Sequence, residues 1–159
     1  RAGVKHLAAS KNNPDFDNQN ANLQGVTHLI KNTHTTITSG TATPIAFQVA
    51  RIIDTRMGSF SGGYFVANWE GWYEVFVSAF SDGGVYMYLG GSNSPVDSYT
   101  ASAPETIVVM NRVVYLNKYE TLRLVGVCDG IANTVQRTCY GYDYNAANLT
   151  QMTIKFLGK

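Results

Sequence analysis

Charge is scarce in this chain: Asp, Glu, Lys and Arg make up 14% of its 159 residues, and the formal net charge is +1. Lys and Arg form no cluster, so no basic field is available for phosphate backbones, which excludes a nucleic-acid binder. No run of about 18 apolar residues exists to carry a helix across a bilayer. The N-terminus lacks the charged-then-apolar pattern of a secretion signal. The chain opens on Arg1, the expectation being a processed or truncated product whose leader, if it had one, is already gone. Heptads and a Gly-X-Y period are also missing, which excludes a coiled coil and a collagen stalk within these residues. Helical periodicity has no convincing candidate. Histidine occurs only as His6, His28 and His34, all upstream of the apolar-rich part of the chain. A length of 159 residues suits one domain, or one domain with an arm.

Cysteine is scarce too. Cys128 and Cys139 are the two, and their separation makes a bridge geometrically easy, with two buried thiols as the alternative. Closing so short a loop would stabilise the fold by roughly 3 kcal/mol in the chain-entropy account. The disulfide is the expectation. Asn148-Leu149-Thr150 completes an N-glycosylation sequon in a polar stretch before an apolar strand, and the two features together favour a secreted, extracellular protein.

What is present is β-texture. Residues 1–44 are rich in Asn, Gln and Thr and read as a polar N-terminal arm, in which Val26 to Ile30 and Thr35 to Thr38 are β-favouring pieces able to add to a sheet edge. Residues 45–159 read as a single all-β domain. Its strand-like runs are Ile45 to Ile53, Gly63 to Trp69, Trp72 to Phe80, Val85 to Leu89, Glu105 to Leu116, Tyr119 to Val127, Arg137 to Tyr142 and Gln151 to Leu157, parted by Gly, Asn, Asp, Ser and Pro. Strands at this spacing without intervening helical patterns predict a β-sandwich or jelly roll. In Trp72 to Phe80 one face carries Tyr73, Val75, Val77 and Ala79, and the other carries Trp72, Phe76 and Phe80 around Glu74 and Ser78. A sandwich core covers one such face. The other needs cover of its own, which a second subunit can supply. Trp72, Phe76, Tyr86 and Tyr88 are the interface candidates, with the alternative that some of them fill the core.

Catalytic patterns are thin. All three histidines fall in the arm, and Asp54, Asp82, Asp97, Asp129 and Asp143 are read in turn-like contexts, Asp82, Asp97 and Asp129 directly beside Gly or Ser, where turn formation accounts for them. Gly-Gly pairs at 62–63, 83–84 and 90–91 fit hairpin punctuation rather than a phosphate loop. An enzyme is therefore not expected. One stretch has the chemistry of ligand contact: Tyr140, Tyr142, Asp143, Tyr144 and Asn145 directly follow Cys139. Rings amid Asp and Asn provide the stacking and hydrogen bonding that sugars use. Packing of a tyrosine-rich strand end is the other reading.

Several fragments, taken in order, resemble the globular head domain of complement C1q, which belongs with the tumour necrosis factor-like jelly rolls. They are Ala46-Phe47, Gly63-Tyr64-Phe65 with Gly71 eight residues on, Tyr73 and Val75, Leu89-Gly90-Gly91, Leu116 before Tyr119-Glu120, Leu122-Arg123-Leu124, and Phe156-Leu157. The resemblance spans about residues 45–157. It implies a compact homotrimer packed through aromatic-rich sheets and acting in recognition rather than catalysis. The expected function is a secreted lectin-like module of innate-immune type that binds carbohydrate or another surface ligand, with a matrix trimerisation role or a receptor-binding ligand as alternatives. Some members of that family bind calcium, which makes Asp129, Asp143 and Asn145 weak calcium candidates; no other cofactor is expected. Two departures stand out. Tyr119-Glu120 replaces the family's Gly followed by an acidic residue, and the segment holding Cys128 and Cys139 is about ten residues longer than usual, suggesting a stapled loop.

Overall fold

The computed structural model describes residues 25–38, 40–52, 54–61, 64–92, 94–99, 106–128, 136–141 and 150–159. All regular elements there are strands: β1 (Val26–Ile30), β2 (Thr35–Thr38), β3 (Thr43–Pro44), β4 (Val49–Ile52), β5 (Gly58–Ser61), β6 (Tyr64–Ala67), β7 (Gly71–Ser81), β8 (Gly84–Leu89), β9 (Asp97–Tyr99), β10 (Thr106–Leu116), β11 (Thr121–Val127), β12 (Gln136–Tyr140) and β13 (Gln151–Gly158). Every pairing is antiparallel. The first sheet follows the order β2-β12-β7-β13-β1-β4, with β10 on the free flank of β7; the second follows β5-β6-β11-β8-β9, with β3 beside the end of β11. β12 and β13 share one flank of β7, β12 opposite Phe80 and Ser81 and β13 opposite residues 72–78. The expected jelly-roll sandwich is the fold observed.

Alternation decides what lies between the sheets. β7 buries Tyr73, Val75, Val77 and Ala79; β10 buries Val108, Met110, Val114 and Leu116; β11 buries Leu122 and Leu124; β13 buries Met152, Ile154 and Phe156. Phe156 stacks edge-on against both Tyr73 and Trp69, at 5.1 Å between ring centres in each case. The Tyr73 hydroxyl donates to the Trp69 carbonyl at 2.7 Å, which supplies the partner a buried phenol needs. Burial raises its pKa despite that bond.

The polar stretch read as an arm over residues 1–44 contributes three strands: β2 takes a sheet edge as expected, β3 pairs with β11, and β1 runs between β13 and β4 in the interior of the first sheet rather than at an edge. Thr27, Leu29 and Ile30 are buried, so a strand with a single strong apolar pair earns its place through neighbours on both sides. Residues 1–24 lie outside the described part.

The expected disulfide is absent, and Cys128 and Cys139 are free thiols. Cys128 follows β11 of the second sheet, and its Sγ donates to the Ile37 carbonyl at 3.1 Å. Cys139 belongs to β12 of the first sheet, opposite Ser81 on one side and Thr35 on the other. The Cys128 thiol thus reaches across to β2 of the first sheet, while the Cys139 thiol is turned into the core. Burial pushes the Cys139 thiol up to about 11, against a lowering by nearby Lys31 and by hydrogen bonds with Thr150 and Ser81.

Candidate interaction site

The outward face of the first sheet is the largest concentration of uncovered apolar side chains. Register puts Trp72 opposite Tyr115, Glu74 opposite Val113, Phe76 opposite Asn111, Ser78 opposite Val109 and Phe80 opposite Ile107. On the other flank of β7, Lys155 faces Glu74 and Thr153 faces Phe76. Exposure is 63% for Ile107, 54% for Val109, 52% for Val113, 47% for Trp72 and 41% for Leu157, values far above those of core residues one position away. Trp72 and Tyr115 meet edge-to-face at 5.3 Å. The Tyr115 hydroxyl donates to Glu70 Oε1 at 2.8 Å, and that carboxylate raises the phenol's pKa. Polar residues are interspersed, with Glu74, Ser78 and Asn111 on β7 and β10, Thr153 and Lys155 on β13, and His28 Nε2 2.9 Å from Gln151 Oε1 toward β1.

Of the four interface candidates, the structure brings two together and separates the other two. Trp72 and Phe76 share this outward face with Glu74 between them, Phe76 half-buried. Tyr86 and Tyr88 project from β8, on the outward face of the second sheet across the sandwich. One flat contact cannot include all four. Sequence reasoning missed Ile107, Val109, Val113 and Tyr115. The signal was available, since β10 reads Ile-Val-Val-Met-Asn-Arg-Val-Val-Tyr-Leu with large apolar residues at both parities, the same mark of two covered faces that distinguished β7.

The second sheet's outward face has a different character. Tyr86 and Tyr88 are stacked at 6.5 Å with planes 24° apart. Arg123 of β11 is paired in register with Tyr88 on one side and Tyr64 on the other, and its guanidinium carbon lies 4.8 Å from the Tyr88 ring centre. Arg123 Nη2 donates to the Ser92 carbonyl at 3.0 Å. Its Nε is covered and has no hydrogen-bond partner.

Tyr140 is the one described member of the tyrosine-rich candidate cluster. Its hydroxyl donates to Asp82 Oδ2 at 2.9 Å, and its ring lies against Phe80 and His34 at 5.2 and 5.3 Å. Nearby, Gly141 N donates to His34 Nδ1 at 3.0 Å and Thr150 Oγ1 to the Tyr140 carbonyl at 2.6 Å. Lys31 is buried in the same region, donating to Thr35 Oγ1 and, at 3.0 Å, to the Ala46 carbonyl. Burial lowers the Lys31 pKa, with Cys139 opposing. These bonds tie β2, β12 and the entry to β13 together. Tyr142, Asp143, Tyr144 and Asn145, the glycosylation candidate Asn148 and the calcium candidate Asp129 lie outside the described residues. Among the described residues no group of three or more His, Cys, Asp or Glu is placed to hold a metal ion, and no helix is long and apolar enough to cross a membrane.

No family model matches the chain, and no curated protein matches it by sequence. Solved structures do match. The globular domain of the zebrafish complement 1qA protein superposes with a TM-score of 0.60 at 15% identity, covering 85% of this chain and 98% of that one. Murine APRIL, in a crystal structure at pH 5.0, gives 0.59 at 15% identity over 83% and 98%. Eiger TNF from S. frugiperda gives 0.56 at 9% identity over 84% and 92%. The fold is therefore the C1q/tumour necrosis factor-like jelly roll that the sequence fragments resemble.

Proposed function

We propose that this jelly roll is a non-catalytic recognition head that works as a homotrimer outside the cell, covering the outward face of its first sheet with identical copies and presenting loops and the second sheet to a carbohydrate ligand. The observation that carries it is the β7–β10 surface. Trp72, Ile107, Val109, Val113 and Tyr115 line up on one flat face, and isolated monomers seldom leave a contiguous apolar area of that kind in water. Aromatic and branched aliphatic residues at the centre with few charges match the composition of an interface core. Homotypic contact also suits the sparse charge of the face, where Glu74 and Lys155 already oppose each other across strands. Three linked copies raise apparent affinity for a repetitive ligand by about two orders of magnitude or more without any new contact, which suits weak sugar sites.

The extracellular assignment rests on the Asn148 sequon and on the C1q-like fold; it does not need the disulfide. Asp143 and Asn145 retain their place as carbohydrate or calcium candidates near Tyr140. A receptor-binding protein ligand is the second reading, favoured by the likeness to Eiger TNF. Sedimentation velocity at micromolar concentration, followed by a glycan array, tests the proposal. A species of three chain masses retained on glycans is the expected result. A stable single-chain species overturns the assembly, and a clean array beside capture of one protein receptor replaces the sugar reading with the second one.

A further inference from the structure

We infer that the outward face of the second sheet holds a binding site for a carboxylate-bearing sugar, built from Tyr64, Arg123, Tyr88 and Tyr86. The inference rests on the recognition-head reading above and names both a ligand class and a place for it that the tyrosine-rich cluster near Cys139 does not include.

The argument begins with charge. Among the described residues, the guanidinium of Arg56 pairs with Asp54 at 2.8 Å and that of Arg112 with Asp97 at 3.2 Å, whereas Arg123 has no ion pair. Its one hydrogen bond goes to a neutral carbonyl on the solvent side, that of Ser92. Nε is sealed under the neighbouring side chains without a partner. Solvent cannot reach that atom, so the Nη edge is the part of the guanidinium open to an anion, and its two nitrogens suit a carboxylate's two oxygens.

The floor around the guanidinium sets the rest of the ligand. Tyr64 and Tyr88 flank Arg123 on the two neighbouring strands, and Tyr86 continues the surface through its stack with Tyr88. Rings on adjacent strands give a flat, amphipathic platform about as wide as one or two pyranose rings, against which the C–H face of a sugar can lie while hydroxyls bond the phenols. One guanidinium is too little positive charge to select a phosphate dianion over an ordinary carboxylate, and the uncharged platform adds nothing for phosphate. All four residues sit on strands, so the site is held by the sandwich rather than by a loop. It also lies across the sandwich from the face proposed to be buried in the trimer, leaving one copy open on every subunit.

Titrating the full-length chain with the methyl glycoside of N-acetylneuraminic acid and with the methyl ester of the same glycoside, followed by NMR, tests the site, because the ester removes only the charge. The acid should bind about tenfold or more tightly than the ester. Arg123→Gln should abolish that difference, Arg123→Lys should keep part of it, and Tyr88→Ala should weaken both ligands. Equal binding of acid and ester by the native chain overturns the inference, and that comparison stands even if a variant fails to fold. An array on which native chain and Arg123→Gln are retained equally on acidic glycans removes this site and leaves the recognition head standing. An array that retains neither removes both.

Discussion

Tyr119 adopts φ 68° at the turn leading into β11, the single non-glycine residue with a positive φ among the described residues. Its N–H donates to the Ala67 carbonyl at 2.7 Å, and the Glu120 N–H donates to Asn117 O at 2.9 Å, so the turn is fixed by its neighbours and the angle is imposed. Left-handed geometry costs an L-residue about 1–2 kcal/mol. The side chain recovers little of this, being 65% exposed with Lys118 Nζ 5.1 Å from its ring centre. Tyr119→Gly should stabilise the chain by about 1 kcal/mol, read as a higher denaturant midpoint at unchanged slope. An unchanged or lower midpoint would mean the ring contributes contacts that offset the strain. Residue type here runs against local backbone preference, since a glycine would take this angle without strain and the chain carries Tyr119 instead. Cys128 and Cys139 misled at the same scale, because sequence separation alone does not fix which partner each thiol turns to. Ten positions suffice to close a loop, but the Cys128 thiol turns to Ile37 O and the Cys139 thiol into the core.

At the scale of elements, strands with strong alternation were legible and weak ones were not. β7, β8, β10, β11 and β13 follow from their apolar periodicity within a residue or two of where they lie. β5 (Gly-Ser-Phe-Ser) and β9 (Asp-Ser-Tyr) are short and carry turn-type residues; they are strands because β6 and β8 offer them open edges. β1 has a weak pattern and a central position, so its strand state is set by β13 and β4 rather than by propensity. Close approach between elements gives a test. A Cβ added at Gly141, just after β12, would lie 2.5 Å from both N and O of Thr33, and backbone cannot rotate away as a side chain can. Gly141→Ala should destabilise the chain by about 1–3 kcal/mol in chemical denaturation. A loss below a few tenths would show that the segment before β2 shifts freely.

For the whole molecule, sandwich geometry sorts surfaces that the sequence leaves mixed. Periodicity tells which residues share a face of one strand, and the pairing of strands tells which faces add up. Trp72 and Phe76 gained Ile107, Val109, Val113 and Tyr115 as company, while Tyr86 and Tyr88 went with Arg123 and Tyr64. The tyrosine-rich candidate site was legible as chemistry only, since Tyr140 is tied to Asp82 and packed on Phe80 and His34. If copies associate through the first sheet, a charge at its centre should part them without unfolding them. Val113 points outward opposite Glu74, so Val113→Glu places two carboxylates side by side on a desolvated surface. Light scattering should then report one chain mass with a native far-ultraviolet spectrum. Retention of the assembled mass by this variant would move the contact to another face.

β13 is hydrogen-bonded to β1 on one side and to β7 on the other. A ribosome must therefore deliver residues 151–158 before the first sheet can close, and until then β1 and β7 wait with raw edges. The emerging chain is most prone to sticking during that interval. The β1–β13 contact spans more than a hundred residues, a topology that favours slow folding.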